Sequence, residues 1–267
     1  MNTKKLFDLS DKVIIITGAA GNLGSQYAEG LSQAGANVVL GDLDYTKCKQ
    51  LSTKLKKKYD VDPLPLKLDL TKKISISNLV TKTIKKYSKI DVLINNAAYQ
   101  GNSKIRKTSF EELSLLDWNE AISVNLTGIF LACQQIGKIM KKQGFGNIIN
   151  ISSTYGLVAP DQRIYGDSGQ NAASFYSATK SAVINLTRYL ASYWRKKNIR
   201  VNTLTPGGVL NRKHHSREFV KKYSERTILN RMANENEYNG AILFLISDAS
   251  SYMTGGNLVI DGGWTAL

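Results

Sequence analysis

Residues 13–24, VIIITGAAGNLG, join a short apolar run to a glycine-rich turn. The run Val13–Thr17 consists of β-branched side chains, which is typical of a buried strand, and a helical spacing of apolar residues begins after the turn. Glycines let the backbone approach a ligand closely, and free amides at the start of a helix favour an anion. We therefore predict a strand, a helix and between them a turn able to hold a pyrophosphate, although the spacing differs from the standard dinucleotide fingerprint. The glycines of this turn are Gly18, Gly21 and Gly24.

Six further apolar runs follow the first and are separated by longer amphipathic segments. Near-continuous apolar runs that alternate with helical stretches are typical of a parallel sheet covered by helices on both faces. We predict an α/β protein, in which residues 1–267 form a single doubly wound domain with a seven-stranded parallel sheet. The seven runs are VIIITG, NVVLGD, PLKLD, DVLINNA, NIINISS, RVNTLTP and NLVIDGG.

Composition excludes several classes of protein. The 267 residues, 42% of them hydrophobic, are enough for one large core. Cys48 and Cys133 give neither a disulfide framework nor metal-ligand spacing, so we interpret both as packing residues in a reducing compartment. Acidic residues interrupt the N-terminal segment, and no apolar run reaches transmembrane length. We therefore expect a soluble, cytoplasmic protein with no membrane partner.

The formal net charge of +15 raises nucleic acid as a partner. The lysines, however, are spread over the predicted helix faces, and no interleaved aromatic patch accompanies them. We interpret them as solvated surface charge and expect no nucleic-acid partner.

The second apolar run ends at Asp42, 18 residues after Gly24. In a doubly wound sheet an acidic side chain at this point faces the adenosine ribose and accepts hydrogen bonds from its hydroxyls. A 2′-phosphate there would meet like charge, and Ala19 and Ala20 supply no basic counterweight, so we predict NAD rather than NADP. Two alternatives stay open: Asp44 could take this role, and Asp42 could merely end a strand.

Polar residues, a glycine or a proline follow six of the seven runs. The carboxyl ends of parallel strands meet at one edge of the sheet, and doubly wound sheets bind ligands at that edge. Random turn residues would collect at both edges, so the pattern predicts a ligand site. The residues are Gly18, Asp42, Asp69, Asn95, Ser153 and Pro206.

Tyr176 precedes Lys180 by four residues, so on a helix the phenol and the ammonium share one face. A phenol titrates near pKa ~10, and a cation held close favours its ionised form, which suits a general acid/base for an alcohol or ketone. Two other pairs have the same spacing, and we interpret them as surface pairs. They are Tyr45 with Lys49 and Tyr193 with Lys197.

From about residue 11 to residue 264 these motifs, in this order, resemble the classical short-chain dehydrogenases/reductases, whose domain is of the Rossmann type. Residues 17–24 resemble that family's cofactor loop, residues 95–97 its strand-four motif, and residues 206–207 and 261–263 complete the pattern. The resemblance implies that Asp69 contacts adenine and that Asn95 faces the cofactor. The implied cofactor contacts are Gly18, Gly21, Asn22, Leu23, Gly24, Asp42, Leu43, Asp69, Leu70, Asn95, Ala97, Tyr176, Lys180, Pro206 and Gly207.

The same resemblance implies a catalytic tetrad of Asn125, Ser153, Tyr176 and Lys180. Tyr176 is then the general acid/base, and Lys180 holds the nicotinamide ribose and depresses the tyrosine pKa. Ser153 hydrogen-bonds the reacting oxygen, and Asn125 positions a water in a proton relay through Lys180.

Two members of this tetrad have alternatives. Ser152 or Thr154 could replace Ser153, because a serine after a strand is often only a cap. Asn125 lies in a predicted helix, where an isolated asparagine often just faces solvent, although Gly128 indicates a local kink.

The chain departs from the family pattern in three places. Asn22 and Ala98 stand where the family usually has glycine, and asparagine tolerates positive φ, so the loop can still form. In addition, Ser153 and Tyr176 lie 23 residues apart, a longer interval than is usual in the family. We predict that the extra residues form a substrate loop near 158–174.

Substrate contacts are expected from this loop and from a second segment. Arg163 and Tyr165 are the substrate residues predicted in the loop, and residues near 208–227 are predicted to form a lid. His214 and His215 in the lid have no partner at ligand spacing, so no metal site is expected. The basic residues around this pocket could bind a phosphate or nucleotide on the substrate, or they could be part of the solvated lysine excess. They are Lys104, Arg106, Lys107, Arg163, Arg212, Lys213, Arg217, Lys221, Lys222 and Arg226.

The main hypothesis is an oxidoreductase that transfers hydride between NAD(H) and a secondary alcohol or ketone. Residues 159–165 and 251–266 resemble, more narrowly, short-chain dehydrogenases from bacterial flagellin-modification and legionaminic-type sugar clusters. This resemblance implies a sugar carrying a phosphate or nucleotide. One alternative is a 3-oxoacyl carrier-protein reductase, a class that usually takes NADPH, and another is an NAD-binding scaffold or sensor without turnover.

Association is also expected, because family members commonly form homotetramers through the helices predicted here at 118–143 and 175–197. These helices carry more apolar residues than one sheet face needs, which favours a homotetramer or homodimer. The residues are Ile129, Phe130, Leu131, Leu190, Tyr193 and Trp194.

Overall fold

All seven predicted strands form, and every neighbouring pair in the sheet is parallel. A computed structural model describes residues 3–267. The strands are β1 Val13–Thr17, β2 Asn37–Asp42, β3 Leu64–Lys67, β4 Val92–Asn95, β5 Gly146–Ile151, β6 Ile199–Pro206 and β7 Asn257–Ile260. Their spatial order is β3-β2-β1-β4-β5-β6-β7, so the order reverses between β1 and β4. A doubly wound sheet binds its ligand at this reversal, beyond the carboxyl ends of the strands.

Helices cover both faces of the sheet, as the alternation of apolar and amphipathic segments predicted. They are α1 Asn22–Gln33, α2 Tyr45–Lys58, α3 Lys73–Tyr87, α4 Leu115–Ile122, α5 Gly128–Gln143, α6 Ser174–Tyr193, α7 Arg217–Ser224 and α8 Asn239–Ile246. Helices α1, α2 and α8 pack on one face, and α3, α5 and α6 pack on the other. The prediction of a single domain with a seven-stranded parallel sheet is confirmed.

Two cores separate along the strands because successive side chains point to opposite faces. Ile14 and Ile16 lie in the core under α1, whereas Val13 and Ile15 lie in the core under α5. Each core also contains one cysteine, Cys48 or Cys133, with a thiol that is fully or almost fully buried. No helix within residues 3–267 is both long and apolar enough to cross a bilayer.

Helices α5 and α6 expose fewer apolar side chains than the sequence suggested. Ile129, Leu190 and Trp194 are buried in the chain's own core, so counting them as surplus apolar surface was wrong. Trp194 fits there because Gly137 has no side chain where the indole ring lies. The exposed apolar surface of these helices comes from Phe130, Tyr189 and Tyr193, which are 47%, 61% and 66% exposed.

The segments 158–174 and 208–227 lie side by side. The first contains a short 3₁₀ segment, Gln162–Ser168, and the second contains α7. The Asp161 carboxylate of the first segment lies 3.1 Å from Arg226 Nε of the second. The rings of Tyr165 and Phe219 pack with their centres 5.5 Å apart. The two segments therefore form one cover beside the carboxyl edge of the sheet.

Candidate active site

The glycine-rich turn after β1 is shaped by close backbone approach. Gly18 has φ +66°, and a Cβ there would lie 2.7 Å from Ala97 Cα. A Cβ on Gly24 would lie 2.1 Å from the Gly18 carbonyl oxygen. Asn22 and Ala98 do not have positive φ, so the departures from glycine at these positions need no special backbone tolerance. Gly21 is the N-cap of α1 and has no side-chain cap, so the first amides of the helix remain available to an anion.

Asn96 braces this turn, a role that the sequence did not reveal. Its Nδ2 donates to the carbonyl oxygens of Thr17 and Gly18 at 3.0 and 3.1 Å. The Thr17 hydroxyl in turn accepts hydrogen bonds from the backbone amides of Asn96 and Ala97 at 3.0 and 3.1 Å. The end of β4 thus fixes the turn after β1.

Asn95 has a different role from the one expected. Its side chain is 1% exposed, and its Nδ2 donates to Asn150 Oδ1 at 2.8 Å and to Cys133 Sγ at 3.3 Å. The side chain therefore does not face the glycine turn, and a contact between Asn95 and the cofactor stays a prediction. In a strand, neighbouring side chains face opposite sides, which turns Asn95 toward α5 and leaves Asn96 to hold the turn.

Asp42, the last residue of β2, and Asp44 have different roles, a point that the sequence left open. Asp42 accepts hydrogen bonds from the backbone amides of Ala20 and Asp44, each at 3.0 Å, and so joins β2 to the glycine turn. Asp44 instead caps α2 through the Lys47 amide and pairs with the Lys47 ammonium at 3.0 Å. Asp42 is therefore the acid that faces the turn. Leu43 beside it is 64% exposed and can offer an apolar surface to a planar ring.

The other predicted cofactor contacts also lie at the carboxyl edge. Thr71 donates two hydrogen bonds to Asp69, at 2.6 and 3.0 Å, and these bonds help hold the carboxyl pKa below its ordinary value. Leu70 is buried against Gly128. Gly207 follows β6 and Pro206, and a Cβ there would lie 2.8 Å from Asp261 Cα.

Lys180 lies in the protein interior and is 2% exposed. Its Nζ donates to the Ile151 carbonyl oxygen at 2.7 Å and lies 5.7 Å from the centre of the Tyr176 ring. Burial lowers the pKa of this ammonium to about 8. Lys49 Nζ lies at a similar 5.8 Å from the Tyr45 ring, but Tyr45 is 43% exposed. Burial, and not spacing, distinguishes the pair on α6.

The pKa of the Tyr176 phenol is raised, chiefly by burial. Hydrogen bonding with the Ser153 and Gln100 side chains and the charge of Arg106 act in the opposite direction. The expected lowering by Lys180 does not appear.

Ser153 and its neighbours point in different directions after β5. The Ser152 hydroxyl donates to the Lys180 carbonyl oxygen at 2.8 Å and is 1% exposed, so it braces α6. The Ser153 hydroxyl accepts from the Tyr155 amide at 3.2 Å and also bonds with the Tyr176 side chain. Of the three candidates, Ser153 is the one whose hydrogen bonding lowers the pKa of the phenol, while Thr154 is 3% exposed.

Asn125 is fully buried in a π-helical turn, Ser123–Thr127, just before Gly128. The irregularity predicted from Gly128 is thus a π turn, a feature often found at functional sites. The Asn125 amide accepts from the Tyr99 amide at 2.6 Å and donates to the Tyr99 carbonyl oxygen at 2.9 Å. It also lies 3.4 Å from the Thr179 hydroxyl. Asn125 therefore connects the loop after β4 to α6, and the water relay stays a prediction.

Arg163 does not reach toward Tyr176. Its side chain is 82% exposed, and its guanidinium binds Asp161 through two hydrogen bonds of 2.8 Å. This arrangement does not favour Arg163 as a residue that binds the substrate, because Asp161 already occupies two donors of its guanidinium. Tyr165 remains a candidate, since it is partly buried and hydrogen-bonded to Tyr155, and its charge state influences Tyr176.

Two residues of the loop after β4 join the site: Gln100, which was not among the predicted contacts, and Arg106, which was one of the basic residues considered for an anion on the substrate. The Gln100 side chain hydrogen-bonds with Tyr176, and Arg106 Nη2 donates to Gln100 Oε1 at 3.1 Å. Neither belongs to a motif, and an irregular loop gives no periodicity from which a direction could be inferred.

Within residues 3–267 no group of three His, Cys, Asp or Glu side chains could hold a metal ion.

A nicotinamide dinucleotide fits this edge of the sheet. The glycine turn keeps open a cradle that a Cβ would fill, the first turn of α1 offers amides, and Asp42 and Leu43 lie beside them. When bound, such a cofactor accepts or supplies a hydride. Tyr176, Ser153 and Lys180 lie on the other side of the order reversal, on α6 and after β5.

Comparison with known proteins agrees with this geometry. A family model described as enoyl-(acyl carrier protein) reductase matches residues 18–265. The post-translational flagellin modification protein A of Campylobacter coli is 33% identical over 256 residues, 96% of this chain and 99% of that protein. An NAD-dependent glycerol dehydrogenase of Listeria innocua is 34% identical and is covered to 96%, with 98% of this chain aligned. A 3-oxoacyl-[acyl-carrier-protein] reductase of Aquifex aeolicus is 33% identical, and the alignment covers 96% of this chain and 98% of that protein.

Solved structures extend the agreement to the whole fold. A short-chain type dehydrogenase/reductase from Mycobacterium marinum matches with a TM-score of 0.89 and 28% identity over 100% of both chains. A gluconate 5-dehydrogenase from Burkholderia cenocepacia, in complex with NADP and tartrate, matches with a TM-score of 0.88 and 28% identity, again over 100% of both chains. The resemblance predicted from the motifs is confirmed, and the chain belongs to the short-chain dehydrogenase/reductase family.

Proposed function

We propose that this protein is a cytoplasmic oxidoreductase that uses NAD(H) to interconvert a secondary alcohol and a ketone on a sugar derivative. The observation that carries the proposal is the buried Lys180 ammonium, which lies 5.7 Å from the centre of the Tyr176 ring, while hydrogen bonding with Ser153 lowers the pKa of the phenol. A buried ammonium and a phenol at the ligand edge of a doubly wound sheet are arranged for proton transfer.

In the proposed reaction the chain's own residues handle the proton. In reduction the Tyr176 hydroxyl would give its proton to the carbonyl oxygen, and in oxidation the ionised phenol would take a proton from the substrate hydroxyl. A nicotinamide held at the glycine turn would supply or accept the hydride. Ser153 holds the reacting oxygen by a hydrogen bond. Lys180 supports ionisation of the phenol while it keeps its proton, which burial makes easier to lose.

The preference for NAD is proposed from Asp42. Its carboxylate faces the glycine turn, and the nearby Lys47 ammonium is already paired with Asp44, so a 2′-phosphate would meet an anion without a free cation there. The Listeria relative is NAD-dependent by name, whereas the Burkholderia structure contains NADP, so the family alone does not decide.

Titration of the protein with NADH and NADPH tests this preference. Tighter binding of NADH is expected. Asp42→Ser should narrow the difference in affinity between NADH and NADPH, because it removes the charge that repels the 2′-phosphate. Asp60→Ser, which removes a carboxylate beyond the far end of α2, is the matched control and should leave the preference unchanged. Tighter binding of NADPH by the unaltered protein would refute the assignment.

A phosphorylated or nucleotide-linked sugar of bacterial surface-glycan biosynthesis is the proposed substrate. The Campylobacter relative acts in flagellin modification by name, and two further relatives are named for glycerol and gluconate, which are polyhydroxylated. Screening sugar phosphates and nucleotide sugars for NADH formation tests the proposal, with Tyr176→Phe as the blank. Turnover of none of them, together with turnover of unrelated alcohols, would contradict it.

A 3-oxoacyl carrier-protein reductase is the second candidate. It is favoured by the Aquifex relative and by the net charge of +15, which suits an acidic carrier. Reduction of an acetoacetyl carrier protein with NADPH, at a rate above that with any sugar substrate and NAD, would favour it. A scaffold or sensor without turnover is the remaining alternative, and any turnover that depends on Tyr176 rules it out.

Self-association into a homodimer or homotetramer is proposed from the exposed aromatic residues on α5 and α6. Tyr189 and Tyr193 stack on each other with ring centres 5.9 Å apart, and Phe130 is 47% exposed. Such a patch is a common site of association. Light scattering should give a mass of at least a dimer, and Tyr193→Lys should lower it, whereas a monomer at micromolar concentration would refute the proposal.

A further inference from the structure

Arg106 is held in a fixed place beside Tyr176 by its own backbone. It lies in a 3₁₀ turn, Ile105–Lys107, whose first residue is 4% exposed and packs in one cluster with Phe175 and Tyr176. The Arg106 carbonyl oxygen accepts a hydrogen bond of 2.7 Å from the Asn171 amide, shortly before α6 begins. The turn is therefore attached to the segment that leads into the helix carrying Tyr176.

The Arg106 side chain is directed along the same pocket. Its Nη2 donates to Gln100 Oε1 at 3.1 Å, and the Gln100 side chain also bonds with Tyr176. The charge of Arg106 acts on Tyr176, on Tyr165 and on His215, which come from three different segments. Gln100 and Arg106 are both exposed, so the guanidinium lies on the solvent side of the cluster that contains Tyr176.

No carboxylate neutralises Arg106. Among the ion pairs within residues 3–267, none includes this guanidinium, and its one side-chain bond goes to a neutral amide. A guanidinium has five N–H donors, so most of its donors are free for a ligand. Arg163 and Arg226, two of the other arginines in the surrounding segments, share the Asp161 carboxylate instead.

The opposite wall adds no negative charge. The His215 ring packs against Phe219 with centres 4.9 Å apart, and its Nδ1 accepts a hydrogen bond from the Asn211 amide at 3.3 Å. Tyr165 and Tyr155 complete this wall with neutral hydroxyls. An anion beside Arg106 would therefore meet the guanidinium and, on this side, neutral hydroxyls.

We propose that Arg106, oriented by Gln100, binds an anionic group on the substrate close to its reacting carbon. This inference rests on the proposed function, because it takes Tyr176 as the place where the reacting oxygen lies. Since the turn that carries Arg106 packs in one cluster with Tyr176, the anion and the reacting carbon belong to one compact molecule. The ligand class is a small hydroxy or keto compound with a carboxylate or a phosphate, both of which a guanidinium binds in two-pronged fashion.

Calorimetric titration of the protein with NAD present tests the anion site directly. The probes are tartrate for the carboxylate class and glycerol 1-phosphate for the phosphate class, titrated separately. At least one is expected to bind, and Arg106→Gln should weaken it by about tenfold or more, the loss typical of a charged hydrogen-bonded contact. Arg163→Gln and Lys104→Gln remove the same charge nearby and should change the affinity by less than about twofold.

The two probes identify the class, and the variants decide the proposal. Tighter binding of tartrate indicates a carboxylate, and tighter binding of glycerol 1-phosphate indicates a phosphate. Equal affinity in the unaltered protein and in Arg106→Gln, or no binding of either probe, overturns the inference.

Failure of the proposed function would look different. Tyr176→Phe should still bind the anionic probe with Arg106-dependent affinity while it loses turnover. If no alcohol or ketone is turned over but binding still depends on Arg106, the anion site stands and the oxidoreductase proposal falls. If neutral polyols are turned over as well as their acids and phosphates, the oxidoreductase proposal stands and the anion site falls.

Discussion

Lys180 Nζ lies 5.7 Å from the centre of the Tyr176 ring and donates its hydrogen bond to the Ile151 carbonyl oxygen, at 2.7 Å. The ammonium is thus fixed by the end of β5 beneath the ring of the phenol. Because it is 2% exposed, its charge is costly to hold, and burial lowers its pKa to about 8.

This burial predicts how stability changes with pH. The folded chain holds the Lys180 proton with a pKa of about 8 and the unfolded chain with the ordinary 10.5, so between these values the unfolded state binds more protons. Stability therefore rises with pH across this window, by roughly 2–3 kcal/mol for this group. Lys180→Met should lack this rise. Denaturant unfolding of both proteins at pH 7.5 and pH 10 measures the difference, and identical pH dependence would contradict the prediction.

The glycine turn predicts a contrast between two glycines that both have positive φ. Gly18→Ala should cost about 2–4 kcal/mol of stability and abolish dinucleotide binding, because its Cβ would lie 2.7 Å from Ala97 Cα. Gly144→Ala is the matched control, with φ +82° and nothing within 4 Å of the added carbon, and should cost only about 1 kcal/mol. Unfolding curves and NADH titrations of both variants test this contrast. Equal losses would mean that close approach at Gly18 is unimportant.

The ion pair between Asp161 and Arg226 predicts that the two covering segments act together on the substrate. Arg226→Gln removes the 3.1 Å contact across the segments and should raise KM by about threefold to tenfold with little change in kcat. Arg163→Gln removes a cation from the same carboxylate without disconnecting the segments, so its KM should stay within about twofold. A larger effect on KM from Arg163→Gln than from Arg226→Gln would contradict this account.

Much of the fold could be predicted from the sequence, because the apolar runs have the length and composition of buried parallel strands. The glycine turn and the spacing of Tyr176 and Lys180 also follow from local rules of backbone and helix geometry. The exposure of Leu43 and the burial of Leu70 could not be predicted, because both depend on how the neighbouring helices pack.

The sequence could not show where a side chain points when no helical or strand period determines its direction. Asn95 and Asn96 stand next to each other at the end of β4, and only the register of that strand decides which one holds the glycine turn. Arg163 was expected to meet the substrate, but the carboxylate two residues before it, Asp161, holds its guanidinium. Arg106 reaches the site from an irregular loop.

Turnover by Tyr176→Phe tests the central claim most directly, measured as hydride transfer with NAD and the best alcohol found by screening. The account predicts a loss of kcat of at least about a hundredfold, the contribution of a positioned acid/base, with NADH binding unchanged within about twofold. Tyr45→Phe, in the exposed pair of the same spacing, should keep full activity. If Tyr176→Phe retains the kcat of the unaltered protein, the phenol does not move the proton.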